Sequence, residues 1–233
     1  IVPLKLAGTN EPPDYAITSP NSWNRSNCIT RAATEEPGMS GMSIVTYDRH
    51  IELDIKTKEP FDRIWAFHHR EAPLLTVPDS LSDGICCPAL DNDEMTLIPL
   101  SRPVEQIRLC ASVADSSFAH SAFYGFSLEN GRSGVLYHSF GINGNTYAAI
   151  NRNPQIVRQA SGLCPDLVIV SLGTNDSYGA SFDPADADVQ ITRLIDSIRR
   201  NMPASVLLLT TPMEHCRRIG SKGRTYRKPN PNA

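Results

Sequence analysis

The chain has 233 residues, 40% of them hydrophobic and 20% charged, an ordinary globular composition with room for one large domain or two modest ones. Its 22 basic and 25 acidic side chains leave a formal net charge of −3, which argues against a general nucleic-acid partner. No run approaches the roughly 20 consecutive apolar residues needed to span a membrane.

The sequence opens on Ile1-Val2-Pro3, without Met and without a basic-then-apolar leader, and so reads as processed or as a fragment. The six cysteines include an adjacent pair, Cys86-Cys87, and have no metal-type spacing. Most read as buried small hydrophobes, with disulfides in an oxidising compartment as the alternative.

Up to residue 130, short apolar segments recur between breaks such as Glu11-Pro12-Pro13-Asp14, Glu36-Pro37-Gly38 and Pro78-Asp79-Ser80. Residues 51–56 alternate cleanly, with Ile51, Leu53 and Ile55 in phase, and residues 107–111 do so more loosely. Period-2 patterning describes strands with one wet face, as in antiparallel sheets. No segment here carries a helical stripe, so residues 1–130 are expected to form an all-β sandwich. Adjacent His68 and His69, at the end of an apparent strand over 63–67, face opposite sides and cannot share one ligand. The aromatic residues Trp23, Tyr47, Phe61 and Trp65 suit a core, with a sugar-stacking surface as the functional alternative.

After residue 130 the pattern becomes β/α. Residues 134–140 read as a strand ending at Gly141. A helix follows, with Asn153 as N-cap, Pro154 at the first helical position and Gly162 at its exit. The apolar run 166–172 reads as a strand buried on both faces, the usual state in a parallel sheet. Asp183-Pro184 opens a second helix whose Ile191, Leu194, Ile195, Ile198 and Met202 share one face. Pro203 ends it, and residues 206–209 give another buried strand. This rhythm implies right-handed crossovers and a parallel sheet of about three strands, fewer than the usual five or six. The tail after Pro212 reads as a loop.

The chemistry concentrates in two glycine-asparagine clusters, Gly141-Ile142-Asn143-Gly144-Asn145-Thr146 and Gly173-Thr174-Asn175-Asp176. Each would follow a parallel strand, on the edge where ligands sit in open sheets. A glycine N–H, left unobstructed, and an asparagine amide converging there would make a pair of oxyanion donors. Simple turns are the competing reading. Asp176 fits a residue that orders its loop by accepting backbone N–H bonds. His138 reads as a core histidine that could face the site, and His215 as the best-placed substitute base. Ser139 and Ser171 lack an elbow signature. Arg217, Arg218, Lys222, Arg224, Arg227 and Lys228 make the tail basic, suiting a solvated loop or contact with an anionic polymer.

Both clusters resemble those of the SGNH (GDSL-type) hydrolases, in which one block supplies an oxyanion glycine, matched by Gly144. A later block is G-x-N-D, matched by residues 173–176. The wording around Phe140-Gly141-Ile142-Asn143-Gly144, Tyr147-Ala148-Ala149, residues 165–169, Thr211-Pro212 and residues 226–232 is similar to a subgroup of bacterial peptidoglycan and carbohydrate O-acetylesterases. The likeness covers residues 122–233 and extends weakly to residues 2–12. It implies a partial flavodoxin-like, three-layer α/β/α hydrolase domain over 131–233, after an inserted carbohydrate-binding-like β-sandwich over 1–130. It further implies an acetylated polysaccharide or peptidoglycan substrate, no metal or organic cofactor, a periplasmic or extracellular location, and Gly144 and Asn175 as the oxyanion hole.

The family's nucleophile lies in a G-D-S block and its base in a D-x-x-H block, and neither string occurs in these 233 residues. A serine needs a base within hydrogen-bond reach to attack. The resemblance therefore implies an internal fragment, with Ile1 following the nucleophile strand and Ala233 preceding the histidine, inactive as an isolated chain. A non-catalytic glycan-binding or scaffold protein is the rival reading.

Overall fold

The computed structural model describes residues 14–29, 35–83, 87–88, 94–115, 117–178, 182–212, 216–221 and 224–229, with backbone alone at 87–88, 217–221 and 224–229. Residues 2–12, Cys86, His215, Lys222 and 230–232, named above, lie outside these. Contacts divide the chain into two compact units, Ile1–Gly141 and Ile142–Ala233.

The first unit holds β1 (Tyr15–Thr18), β2 (Asn24–Asn27), β3 (Met42–Thr46), β4 (His50–His68), β5 (Cys87–Pro88), β6 (Met95–Ser112) and β7 (Ser121–Glu129). All pair antiparallel, in the order β2-β3-β7-β4-β6-β5, with β1 added to β4. The alternation read from 51–56 is seen directly: Ile51, Leu53 and Ile55 are fully buried, facing Ala111, Leu109 and Ile107 across β6. The long β4–β6 ladder changes register between Lys56 and Phe61 and again before Arg63. Pro60 and Pro103 fall in that irregular stretch, where the lack of an N–H does no harm to the ladder.

Inward residues from both halves of β4 and β6 join one core, in which Leu53, Ile64, Ile98 and Leu109 belong to the same cluster as Ile17, Phe123 and Phe126. The strands expected to make a sandwich are thus joined in one continuously bonded sheet. His68 is buried, its Nε2 2.7 Å from Thr96 Oγ1 and its Nδ1 2.9 Å from the His69 carbonyl oxygen, a structural role. Phe61 is core, Trp23 packs edge-on against Phe123 at 6.1 Å, Trp65 is partly buried, and Tyr47 is exposed beside His120.

Residues 134–140 correct the expectation of a strand. They form no strand, and Val135, Leu136 and Tyr137 are 94%, 63% and 78% exposed. An apolar run becomes a strand only when a neighbour supplies ladder bonds, and no described strand pairs with this segment.

The second unit comprises α1 (Tyr147–Asn151), α2 (Gln155–Ser161), β8 (Leu167–Val170), α3 (Pro184–Asn201), β9 (Val206–Leu209) and a hairpin of β10 (Cys216–Ser221) and β11 (Arg224–Pro229). β8 and β9 pair in parallel with α3 between them in sequence, and Thr210 N donates to Val170 O at 3.0 Å to extend the pairing. Asp183 caps α3 by accepting from Ala185 N at 2.9 Å, and Leu194, Ile198 and Met202 are buried as the periodicity predicts.

Other features of this unit depart from the sequence pattern. The parallel sheet has two strands among the described residues, where about three are expected. It is buried on one face only: Val168, Val170 and Leu207 meet Tyr147, Val157 and Leu194 in the core, while Leu167, Ile169, Val206 and Leu208 are exposed. All three helices contribute to that one core, so among the described residues helices cover one face of this sheet. The tail forms the β10–β11 hairpin rather than a loop. Pro154, not Asn153, occupies the N-cap position of α2, and the Asn153 amide turns back to donate to Ala149 O at 2.7 Å. Helix α1 is absent from the sequence-based expectations, although Thr146 ahead of an apolar stretch is a start signal; its hydroxyl accepts from Ala149 N at 3.1 Å.

Candidate functional site

The carboxyl ends of β8 and β9 lie at the same edge of the sheet because the strands run parallel. Gly173 follows β8 and has a φ of +109°, a conformation that favours glycine. Its carbonyl accepts from Ser177 N at 2.9 Å, so the tetrad winds into a single turn that presents Asn175 to solvent and half-buries Asp176.

The second cluster is a tight turn in which Asn145 N donates to Ile142 O at 3.1 Å. Gly144 takes the third position with a φ of +88°, the value a type II turn requires there. The Asn145 side chain accepts from Thr146 N at 3.0 Å, leading into the cap of α1.

The structure brings these two predicted clusters together. Asn175 Nδ2 donates to Asn145 O at 2.9 Å. Asp176 Oδ1 accepts from Tyr147 N at 3.0 Å. An amide nitrogen carries two hydrogens, so Asn175 keeps a second donor beyond its bond to Asn145. Burial pushes the Asp176 carboxyl above its usual range, against backbone N–H groups that favour the carboxylate, and its Oδ2 is buried with no hydrogen-bond partner among the described residues. Burial and then the Asp176 charge raise the Tyr147 phenol. The Asp176 bond crosses 29 residues, which a sequence reading confined to its own turn misses.

The other candidates lie elsewhere. His138 sits in the first unit, stacked on Phe140 with ring centres 6.2 Å apart, and burial lowers it to about 4. Ser139 is exposed outside any strand, and Ser171 is exposed just past β8. His69 is partly exposed, its Nδ1 accepting from Glu71 N at 3.2 Å. Cys28 is buried and Cys110 partly buried, whereas Cys164 and Cys216 are exposed. Among the described residues no group of three or more His, Cys, Asp and Glu side chains is placed to hold a metal ion, and no helix is long and apolar enough to cross a membrane.

The GDSL-like Lipase/Acylhydrolase family matches residues 114–229. The fold is similar to that of a peptidoglycan O-acetylesterase captured in action, with a TM-score of 0.65, 16% identity, and coverage of 92% of this chain and 58% of that one. The chain thus spans a little over half the length of that protein. A carbohydrate esterase with divergent catalytic and non-catalytic binding functions matches at a TM-score of 0.23 and 11% identity, over 82% of this chain and 78% of that one, which is too distant to carry an argument. No curated protein matches the chain. With its two glycine-asparagine turns held together at one sheet edge, and residues 114–229 matching as they do, the chain belongs to the GDSL-like lipase/acylhydrolase family, the SGNH hydrolases.

Proposed function

We propose that this chain carries the oxyanion-stabilising part of an SGNH-type serine esterase acting on O-acetyl esters of a carbohydrate or of peptidoglycan, outside the cytoplasm. The observation that carries the reading is the 2.9 Å bond from Asn175 Nδ2 to Asn145 O, which sets the asparagine amide beside the turn containing Gly144. In the proposed reaction a serine attacks the acetyl carbonyl and a histidine takes its proton. The Gly144 N–H and the second Asn175 amide hydrogen then bind the oxygen as it becomes negative. Donors fixed in advance need no reorganisation when charge develops, and removing one typically costs about 10²–10³ in turnover.

The serine and histidine blocks of the family are absent from these 233 residues. The oxyanion donors alone supply no attacking group, so the chain by itself is proposed to be inactive. The preceding folded sheet is proposed to be an inserted, carbohydrate-binding-like module. Release of acetate from acetylated xylan and hydrolysis of p-nitrophenyl acetate, both measured against buffer, test the reading. No turnover, together with retention on peptidoglycan or acetylated xylan, is expected. Turnover above buffer would overturn the inactive assignment, and firm glycan binding unaffected by Asn175→Ala would favour a pure binding module.

A further inference from the structure

Two consecutive residues tie the tetrad to the Gly144 turn, and they do so in opposite senses. Asn175 donates to Asn145 O, whereas Asp176 accepts from Tyr147 N. Tyr147 begins α1, so its N–H is one of the amides for which a helix offers no internal acceptor. Thr146 caps Ala149 N and leaves the Tyr147 amide to Asp176. The Asn175 bond is exposed, where water competes for both partners. The Asp176 bond is partly buried, and a carboxylate acceptor makes a stronger bond than a neutral one.

We propose that Asp176 is the positioning residue of this site: by holding Tyr147 N–H it fixes the turn that carries Gly144 against the turn that carries Asn175. The proposal rests on the reading of Gly144 and Asn175 as oxyanion donors. Asp176 touches no reacting atom in that scheme and acts through the backbone of residues 144–147. Its carboxyl is held at one oxygen while the other is buried without a partner among the described residues. Of the backbone N–H groups that favour the carboxylate, those of Gly173 and Asp176 lie in its own turn, whereas that of Tyr147 lies 29 residues away, so this bond joins the two clusters.

Amide hydrogen exchange read by NMR on the full chain tests this near neutral pH. In Asp176→Ala, exchange at Asn145, Thr146 and Tyr147 is expected to quicken about tenfold, while the amides of β9 and the middle of α3 keep their rates, the mark of a local opening. Asp176→Asn still offers an acceptor oxygen and is expected to restore slow exchange at Tyr147. Unchanged rates in Asp176→Ala, equal acceleration throughout α3 and β9, or no rescue by Asp176→Asn would overturn the proposal. A separate titration with acetate, the product anion, follows the Gly144 amide and the Asn175 side-chain amide. If neither moves while the exchange pattern holds, the oxyanion reading fails and the positioning role stands.

Discussion

Gly173 holds a φ of +109° with Pro212 Cγ 3.3 Å from the point where a Cβ would sit. Gly173 leaves β8 and Pro212 leaves β9, so the contact closes the sheet edge beside the Asn175 turn. A Gly173→Ala variant meets both a left-handed backbone and a rigid proline ring that cannot swing aside. A residue forced into such a conformation costs about 1–3 kcal/mol. Urea unfolding is expected to show that loss, together with altered amide signals at Thr174 to Ser177; a stability equal to that of the parent would show that the edge is more pliable than its geometry indicates.

The sidedness of the β8–β9 sheet is tested by a matched pair of substitutions. Ile198 is 4% exposed on α3, whereas Ile169 on β8 is 48% exposed. Ile198→Ala is expected to cost about 2–5 kcal/mol, the usual range for emptying a buried isoleucine site. Ile169→Ala is expected to lie within about 0.5 kcal/mol of the parent, as surface changes do. Comparable losses at both positions would mean that the outer face is covered in solution.

The first unit is legible in the sequence because its strands announce themselves locally. Ile51, Leu53 and Ile55 repeat with the pleat, and nothing remote is needed to read which face they bury. Helix α3 is legible for the same reason, since Asp183, Pro184 and the 191–202 stripe all lie within one element. Residues 134–140 mislead because an apolar run records only a tendency to be covered. Whether it becomes a strand depends on a neighbour that local sequence does not contain. The face of β8 misleads likewise: four apolar residues in a row fit burial on two faces, and only the packing partners show that Leu167 and Ile169 lack one. At the candidate site, Gly144 and Asn175 are readable from their motifs, whereas the bonds from Asn175 to Asn145 and from Tyr147 to Asp176 join residues 30 and 29 apart and leave no local trace.

His138 supplies a pH prediction. Burial lowers its folded value to about 4, below the ordinary 6.5. The folded chain thus favours the neutral ring, and the unfolded chain binds the proton first as pH falls. Stability attributable to this residue is whole above pH 6.5, declines as acid protonates the unfolded form, and is gone by about pH 4. His138→Gln is expected to flatten the stability curve over that window. Urea midpoints measured across it check this, and an undiminished acid loss in the variant would assign the dependence to other groups.

The β10–β11 hairpin sets Arg217 opposite Lys228 and Arg218 opposite Arg227. Together with Lys222 and Arg224 they make this stretch of the sequence basic, and clustered positive charge attracts a polyanion. Retention on an anionic glycan such as polygalacturonate is therefore expected to weaken between about 0.1 M and about 1 M salt, as the screening length falls from about 10 Å to about 3 Å. Replacing Arg217 and Arg218 together by Gln is expected to weaken low-salt binding, because the change removes two of these positive charges. Binding that ignores both salt and this double substitution would place glycan recognition elsewhere on the chain and leave the basic hairpin a solvated surface.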